Sequence, residues 1–339
     1  MTPKVSIIVP CYQERHTIGM LLAAILAQTY PLADLEVVIA DGMSTDGTRE
    51  AIRAFSSEHP ELDIHLIDNL KRIIPAALNR AIEAARGEVI IRLDAHSIPR
   101  PNYVERCLMS LEKTGAANVG GIWEIKPEKD GWLPRSIAVA ASHRLGAGDA
   151  LYRTGGDIGE VDTVPFGAFN KVWVERVGFF DETLLTNEDY EFNYRIRQAG
   201  GVIWFDPEIR SIYFARPDLP SLAKQYARYG YWKAHMLLRF PGSLRLRQTL
   251  PPLFVLAGLM LGIMAPFWHL ARLFLGVQLA GYILITVLTG VWSALRMRDL
   301  GILFGFPLAI WTLHFAWGGA FLWCLLTHIL GGRRESSKT

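Results

Sequence analysis

Three long apolar stretches near the C-terminus restrict the possible folds of this chain more than any other feature. They run over Leu250–Trp268, Leu273–Leu295 and Gly301–Leu330. From Leu250 to Leu330 the only charged residues are Arg272, Arg296, Arg298 and Asp299. Each stretch reaches the roughly 20 residues needed to cross a hydrocarbon core about 30 Å thick. Three uncharged helices in a row would otherwise need a very large soluble core around them. Residues 250–330 are therefore expected to form a membrane region. Arg239, Arg245 and Arg247 precede the first stretch, and Arg296 and Arg298 separate the second from the third. Both groups lie inside if the preceding domain is cytoplasmic. Three crossings would then carry Arg333, Arg334 and Lys338 to the opposite side, against the same rule, so one stretch is open to a re-entrant or interfacial reading.

Residues 1–240 carry an ordinary soluble charge density and alternate between two periods. Val5–Val9, Leu35–Ala40, Asp63–Ile67 and Val89–Leu93 read as strands, and Thr17–Gln28, Thr48–Phe55 and Pro75–Ala85 as the helices between them. That alternation predicts βαβ units in an α/β fold with a Rossmann-like, mainly parallel sheet. Ligands of such a sheet bind at the carboxyl ends of its strands. From about residue 119 to 205 the pattern is irregular, with a helix at Glu188–Ala199 and a strand at Val202–Phe205. Ser221–Phe240 reads as a helix whose Tyr226, Tyr229, Tyr231 and Trp232 stand among basic residues, a mixture suited to a membrane interface.

The formal net charge of +2 supplies no basic face for nucleic acid. Three widely spaced cysteines, Cys11, Cys107 and Cys324, suggest neither a disulfide framework nor a zinc site. A reducing compartment fits, and the short run Val5–Val9 does not resemble a signal peptide. The first domain is expected in the cytoplasm.

Carboxylates cluster just after the predicted strands. The first strand runs into Pro10-Cys11-Tyr12-Gln13-Glu14, the second into Asp41-Gly42-Met43-Ser44-Thr45-Asp46-Gly47-Thr48, and the fourth into Asp94-Ala95-His96. Asp46 reads as a helix cap. Asp41 is either a turn residue or an acceptor for a ligand such as the imino N–H of a uracil. Asp94 and His96 lie on one side of an extended segment and suit Mg²⁺ or Mn²⁺, with a surface histidine as the plainer reading of His96. Asn187-Glu188-Asp189-Tyr190-Glu191 opens a helix, either as favourable charge at its N-terminus or as the source of a general base. Gln225 and Arg228 share a helical face beside Tyr229, where Arg228 could meet a phosphate.

These five motifs, in this order over residues 4–235, resemble the family 2 inverting glycosyltransferases, which have the GT-A fold. The stretch Val161–Phe169, the Asp94-Ala95-His96 form and the apolar C-terminal region are most similar to the succinoglycan-biosynthesis type within that family. The resemblance implies a hexosyltransferase that moves a sugar from a nucleotide-sugar donor, expected to be a uridine diphosphate sugar. The acceptor would be a lipid-linked saccharide in exopolysaccharide biosynthesis, at the bacterial inner membrane. Pro10, Tyr12, Glu14, Asp41, Asp94 and Arg228 would bind the donor. Asp94 and His96 would hold Mg²⁺ or Mn²⁺, Asp189 would be the catalytic base, and Glu188, Gln225 and Tyr229 would belong to the acceptor or phosphate region. His96 stands where the family usually has an Asp, and Tyr229 where it has a Trp. A processive polysaccharide synthase and a non-catalytic nucleotide-binding component of an export complex are the alternatives.

Overall fold

A computed structural model describes residues 4–335. Lys338, one of the residues in the charge argument above, lies outside them. In chain order the first elements are β1 (Val5–Cys11), α1 (Ile18–Leu26), β2 (Leu35–Asp41), α2 (Thr48–Glu58), β3 (Asp63–Asp68), α3 (Ile74–Ala84) and β4 (Val89–Arg92). There follow β5 (Ile98–Pro99), α4 (Tyr103–Thr114), β6 (Asn118–Pro127), α5 (Trp132–Ser142), α6 (Arg144–Ala147), α7 (Leu151–Thr154), β7 (Gly159–Glu160), β8 (Ala168–Asn170) and α8 (Val172–Val177). The chain continues through α9 (Glu188–Gln198), β9 (Ile203–Ala215), α10 (Leu219–Arg239), α11 (Leu246–Met264), α12 (His269–Met297) and α13 (Gly301–Glu335).

Two compact units divide the chain. The first is Met1–Glu124 with Leu151–Tyr213, and the second is Ile125–Ala150 with Phe214–Thr339. The boundary expected near residues 240–250 therefore falls earlier. The reason is packing: α5 and α10 lie against α13, and their buried residues Ile137, Leu222 and Tyr226 share one core with Ile302, Phe306 and Ile310.

In the first unit the strands form one mixed sheet in the order β3-β2-β1-β4-β8-β6-β9-β5, with β7 paired to β9. The first four strands are parallel, as the βαβ pattern requires, and β4 meets β8 antiparallel. Strands β1 and β2 are almost wholly buried, which is why they read as continuous apolar runs. One face of the sheet packs Ile7, Val37 and Ile39 with Ile18, Leu22 and Ile52; the other packs Ile8, Val38 and Ile90 with Leu78 and Ile82. The parallel register sets Cys11 beside Asp41, so the expected ligand loops leave the sheet side by side.

In the second unit, three helices are long and apolar enough to cross a membrane: Leu246–Met264, His269–Met297 and Gly301–Leu330. Little of α11 and α12 is buried, and large side chains such as Leu253, Ile263, Phe274 and Leu284 are exposed; a third of the α13 window is buried. Apolar surface of that extent belongs in lipid or against a partner. Polar side chains tie the helices together. Trp311 donates to Thr286 Oγ1 at 3.0 Å, and Tyr282 Oη lies 2.9 Å from His314 Nδ1. His314 Nε2 is 2.8 Å from the Leu145 carbonyl, which can only accept, so Nε2 carries the hydrogen and Tyr282 donates to Nδ1. Helix α10 approaches α13 so closely that a Cβ on Gly230 would stand 2.1 Å from the Trp317 carbonyl oxygen. The helix expected at a membrane interface is thus seated on the third apolar helix.

Candidate active site

The carboxyl ends of β1 and β2 are stitched together by their loops. Ser44 Oγ accepts from the Gln13 N–H at 2.8 Å, Thr48 Oγ1 from the Glu14 N–H at 2.9 Å, and Asp46 Oδ2 from the Arg15 N–H at 3.1 Å. Asp46 also accepts from the Thr48 N–H at 3.0 Å, but the cap position of α2 is held by Gly47, one residue later than the expected cap, and the Thr48 hydrogen bonds hold the Asp46 carboxyl below the usual range. Gln13 and Met43 adopt positive φ angles of 58° and 61°. Such backbone costs about 1–3 kcal/mol per residue and persists where surrounding contacts enforce it. Tyr12 follows Pro10 and Cys11 and is exposed, with its ring against Gly42: a Cβ there would lie 2.9 Å from Tyr12 Cδ2. That arrangement gives an aromatic platform at the sheet edge. Cys11 beneath it is a neutral thiol, its pKa pushed up by burial and by Asp41.

Asp41 stands at this edge but is fully buried. Its carboxylate accepts from Ser44 Oγ at 2.6 Å, from the Ser44 N–H at 2.9 Å and from Arg49 Nη1 at 2.9 Å. Arg49 is held in turn by Asp68 at 2.7 Å. Asp41 is thus engaged within its own turn, and with Ser44 and Arg49 it shapes the edge where the nucleoside is expected.

Arg92, the last residue of β4, joins two motifs that lie far apart in the sequence. Its Nε and Nη2 donate to Asp94 Oδ1 at 3.3 and 3.1 Å, and Nη2 also donates to Glu188 Oε1 at 3.0 Å. Nη1 is in ion-pair contact with Asp189 Oδ1. Side-chain exposure is 5% for Arg92 and 7% for Glu188, against 23% for Asp94 and 27% for Asp189. The latter two thus face the open side of the cluster. Burial works against the charge of Arg92, but Asp94 and Glu188 outweigh it and raise its pKa. Arg92 was not among the residues singled out in the sequence. Its one signal is a charged residue ending the apolar run Val89-Ile90-Ile91.

One guanidinium among three carboxylates leaves formal negative charge in a poorly solvated place, which favours a cation. His96 turns Nδ1 toward Glu14 Oε1 at 3.0 Å. A carboxylate on one ring nitrogen is the usual way a metal-bound histidine is oriented. Glu14 thus meets His96, and it also accepts from the Thr17 hydroxyl. Among the described residues, Asp94, His96 and Glu14 do not form a trio with ligand atoms within 4.8 Å of one another. The donor set fits an ion held by one or two side chains and completed by phosphate oxygens, as is common for Mg²⁺.

The acidic helix start is placed by buried polar contacts. Asn187 has φ 69°, and α9 begins at Glu188. Glu191 is buried and pairs with Arg195 at 2.6 Å; Arg195 also donates to the carbonyls of Val177, Gly178 and Phe179. Asn193 donates to Thr163 Oγ1 at 2.9 Å and to the Val164 carbonyl at 3.0 Å, while Tyr190 donates to Asp162 at 2.8 Å. The stretch Val161–Phe169 is therefore packed against this helix, and its Gly167 carbonyl accepts from the Arg92 N–H at 3.0 Å. Asn79 on α3 clamps the preceding loop, donating to the Phe180 carbonyl at 3.0 Å and accepting from the Phe180 N–H at 2.9 Å. Gln225, Arg228 and Tyr229 belong to the second unit, on α10. There Gln225 Nε2 donates to Tyr229 Oη at 3.1 Å, and Arg228 is exposed.

Glu36, Asp63 and His65 also have metal-like spacing, with ligand atoms within 4.8 Å of one another. They lie at the opposite, amino ends of the parallel strands, and Arg86 already occupies the place a cation would take. Arg86 Nε donates to Glu36 at 2.8 Å, Nη2 meets Asp63, and Nη2 is 3.1 Å from His65 Nε2. Ser6 and the backbone N–H groups of Arg86 and Gly87 complete the coordination of Glu36. Burial raises the Glu36 pKa, but the hydrogen bonds from Ser6 and Arg86 outweigh it and hold the carboxyl below its usual range. A depressed carboxyl pKa stabilises the fold above the unfolded-state pKa, and that contribution is lost as pH falls through the folded-state value. Glu36→Ala is expected to cost about 3 kcal/mol at neutral pH, with the difference from wild type shrinking at acid pH. Denaturation midpoints across pH check this, and equal midpoints at pH 7 would refute it.

The profile of the glycosyl transferase family 2 domain matches residues 6–178. The chain is 34% identical over 325 residues to the succinoglycan biosynthesis protein ExoA of Rhizobium meliloti, covering 93% of both. It is 30% identical to glycosyltransferase AglE of Haloferax volcanii, over 66% of this chain and 71% of that one. Among solved structures, it is similar to the mannosyltransferase PcManGT of Pyrobaculum calidifontis in complex with GDP-Man and Mn²⁺. That likeness has a TM-score of 0.61 at 21% identity and covers 93% of this chain and 87% of the other.

Proposed function

The chain belongs to glycosyl transferase family 2 and has the GT-A fold, and from this premise we propose that it is an inverting hexosyltransferase acting on a lipid-linked saccharide at the cytoplasmic face of a bacterial inner membrane. The donor is a nucleoside diphosphate sugar, with a uridine diphosphate sugar as the first choice. The product is an intermediate of exopolysaccharide assembly. The observation that supports this best is the cluster in which one buried guanidinium gathers Asp94, Glu188 and Asp189.

In this reading the exposed Tyr12 ring, with Pro10 beside it, receives the nucleoside, and the Asp41–Ser44 turn shapes that edge. Asp94 and His96 hold Mg²⁺ or Mn²⁺, with Glu14 orienting His96. The bound divalent ion supplies charge neutralisation to the leaving diphosphate. Asp189 takes the proton of the acceptor hydroxyl as that oxygen attacks the anomeric carbon. The bond from that carbon to the diphosphate oxygen breaks on the opposite face, so configuration inverts. The ion-pair contact of Oδ1 with Arg92 supports Oδ2 as the oxygen that takes the proton in this reading. The apolar helices raise the local concentration of a membrane-borne acceptor.

A panel of radiolabelled nucleotide sugars incubated with membranes containing the protein tests this reading. One donor is expected to label the organic phase. Label that enters only long water-soluble polymer would instead favour a processive synthase, and none from any donor would favour a non-catalytic role.

A further inference from the structure

Arg92 touches both proposed reacting carboxylates, yet at 5% side-chain exposure it is poorly placed to meet a substrate itself. Its geometry is over-determined. The guanidinium is planar with its donors in a rigid fork. Asp94 accepts from Nε and Nη2, and Glu188 accepts from Nη2, so the plane is fixed before Asp189 is considered. Nη1 is then in ion-pair contact with Asp189 Oδ1, a charge contact outside hydrogen-bond geometry. The terminal torsion of an aspartate is broad. Without that contact the Asp189 carboxylate would turn through a range of orientations, few of which place Oδ2 toward an incoming hydroxyl. Glu188, buried and on no other described side chain, serves as a counter-charge that keeps Arg92 in place.

We propose that Arg92 is a positioning residue for sugar transfer: it fixes the rotation of Asp189 and keeps that base in register with Asp94. The proposal rests on the reading of Asp189 as base. It makes the separation between donor side and base a property of one buried side chain at the end of β4, reaching the first turn of α9, which carries Asp189.

The test is a double-mutant cycle in the full-length, membrane-embedded protein, using the nucleotide sugar that wild-type membranes incorporate. Arg92→Met is expected to lower kcat by about 100-fold, the scale of a reacting group misplaced by about 1 Å, with donor KM within about threefold. Arg92→Lys restores charge without the fork and is expected to recover about tenfold of that loss. Added to Asp189→Asn, Arg92→Met is expected to cost no more than about threefold further, because the residue acts through the base. A merely structural role would instead give additive losses and a raised KM. Calorimetric titration of each variant with UDP and with GDP in Mn²⁺ establishes that the nucleotide site is intact. If Arg92→Met loses nucleotide binding, Arg92→Lys decides: reduced kcat with intact binding supports the proposal, and wild-type kcat overturns it. Additivity in the cycle, or wild-type kcat in Arg92→Met, also overturns it. Wild-type turnover in Asp189→Asn alone would remove the base assignment, a separate failure that the same data distinguish.

Discussion

Replacing Asp189 by Asn is expected to lower kcat for sugar transfer by about 10³-fold, within the range that a positioned general base contributes. That corresponds to about 4 kcal/mol of lost transition-state stabilisation. The substitution keeps shape and volume, and the amide oxygen can still lie against Arg92 Nη1, where Oδ1 makes its ion-pair contact in the native protein. Only the capacity to take a proton is removed. Nucleotide binding, proposed to depend on the β1 and β2 loops and on Asp94, is expected to stay within about threefold. Steady-state rates with binding of UDP or GDP in Mn²⁺ separate the two. Turnover near wild type would exclude Asp189 as the base, and parallel loss of binding would assign it to the donor side.

Asp94→Asn is expected to act on the other half of the site. It removes one of three carboxylates around Arg92, so Glu188 and Asp189 still balance the guanidinium and the fold should persist. The residue lost is the carboxylate most directly available to a cation at the β4 edge. Loss of even an outer-shell partner costs 10–100-fold in metal affinity, so the Mn²⁺ concentration giving half-maximal transfer is expected to rise by about 100-fold. Chelation of wild-type membranes should abolish transfer, and added Mn²⁺ or Mg²⁺ should restore it. An unchanged metal requirement in Asp94→Asn would move the ion elsewhere.

The parallel half of the sheet was legible because β1, β2 and β4 are buried apolar runs and β3 a half-buried one, separated by helical patterns, and the carboxylates after them sit where such a sheet binds ligands. The antiparallel half was not. Its strands β5, β7 and β8 have two or three residues each, too short for a period to emerge. Arg92 was passed over because a lone arginine ending a strand usually reaches solvent, and only the fold brings Glu188 and Asp189 to it across almost a hundred residues. The surroundings of Asp41 were hidden for a related reason. Its position at a strand end was readable, but its engagement with Arg49 depends on how α2 packs. The packing of α5 and α10 on α13 was not legible because α5 falls in the irregular middle stretch, and α13 is apolar all round and carries no stripe to announce which face they cover.

All of these assignments converge on single displacement at the anomeric carbon, with Asp189 on the acceptor side. The most direct measurement is the anomeric configuration of the newly transferred sugar, determined by NMR on product made from an α-linked nucleotide sugar. A β-linkage is the expected result. An α-linkage would mean retention, and one carboxylate acting as a base on the acceptor could not account for it.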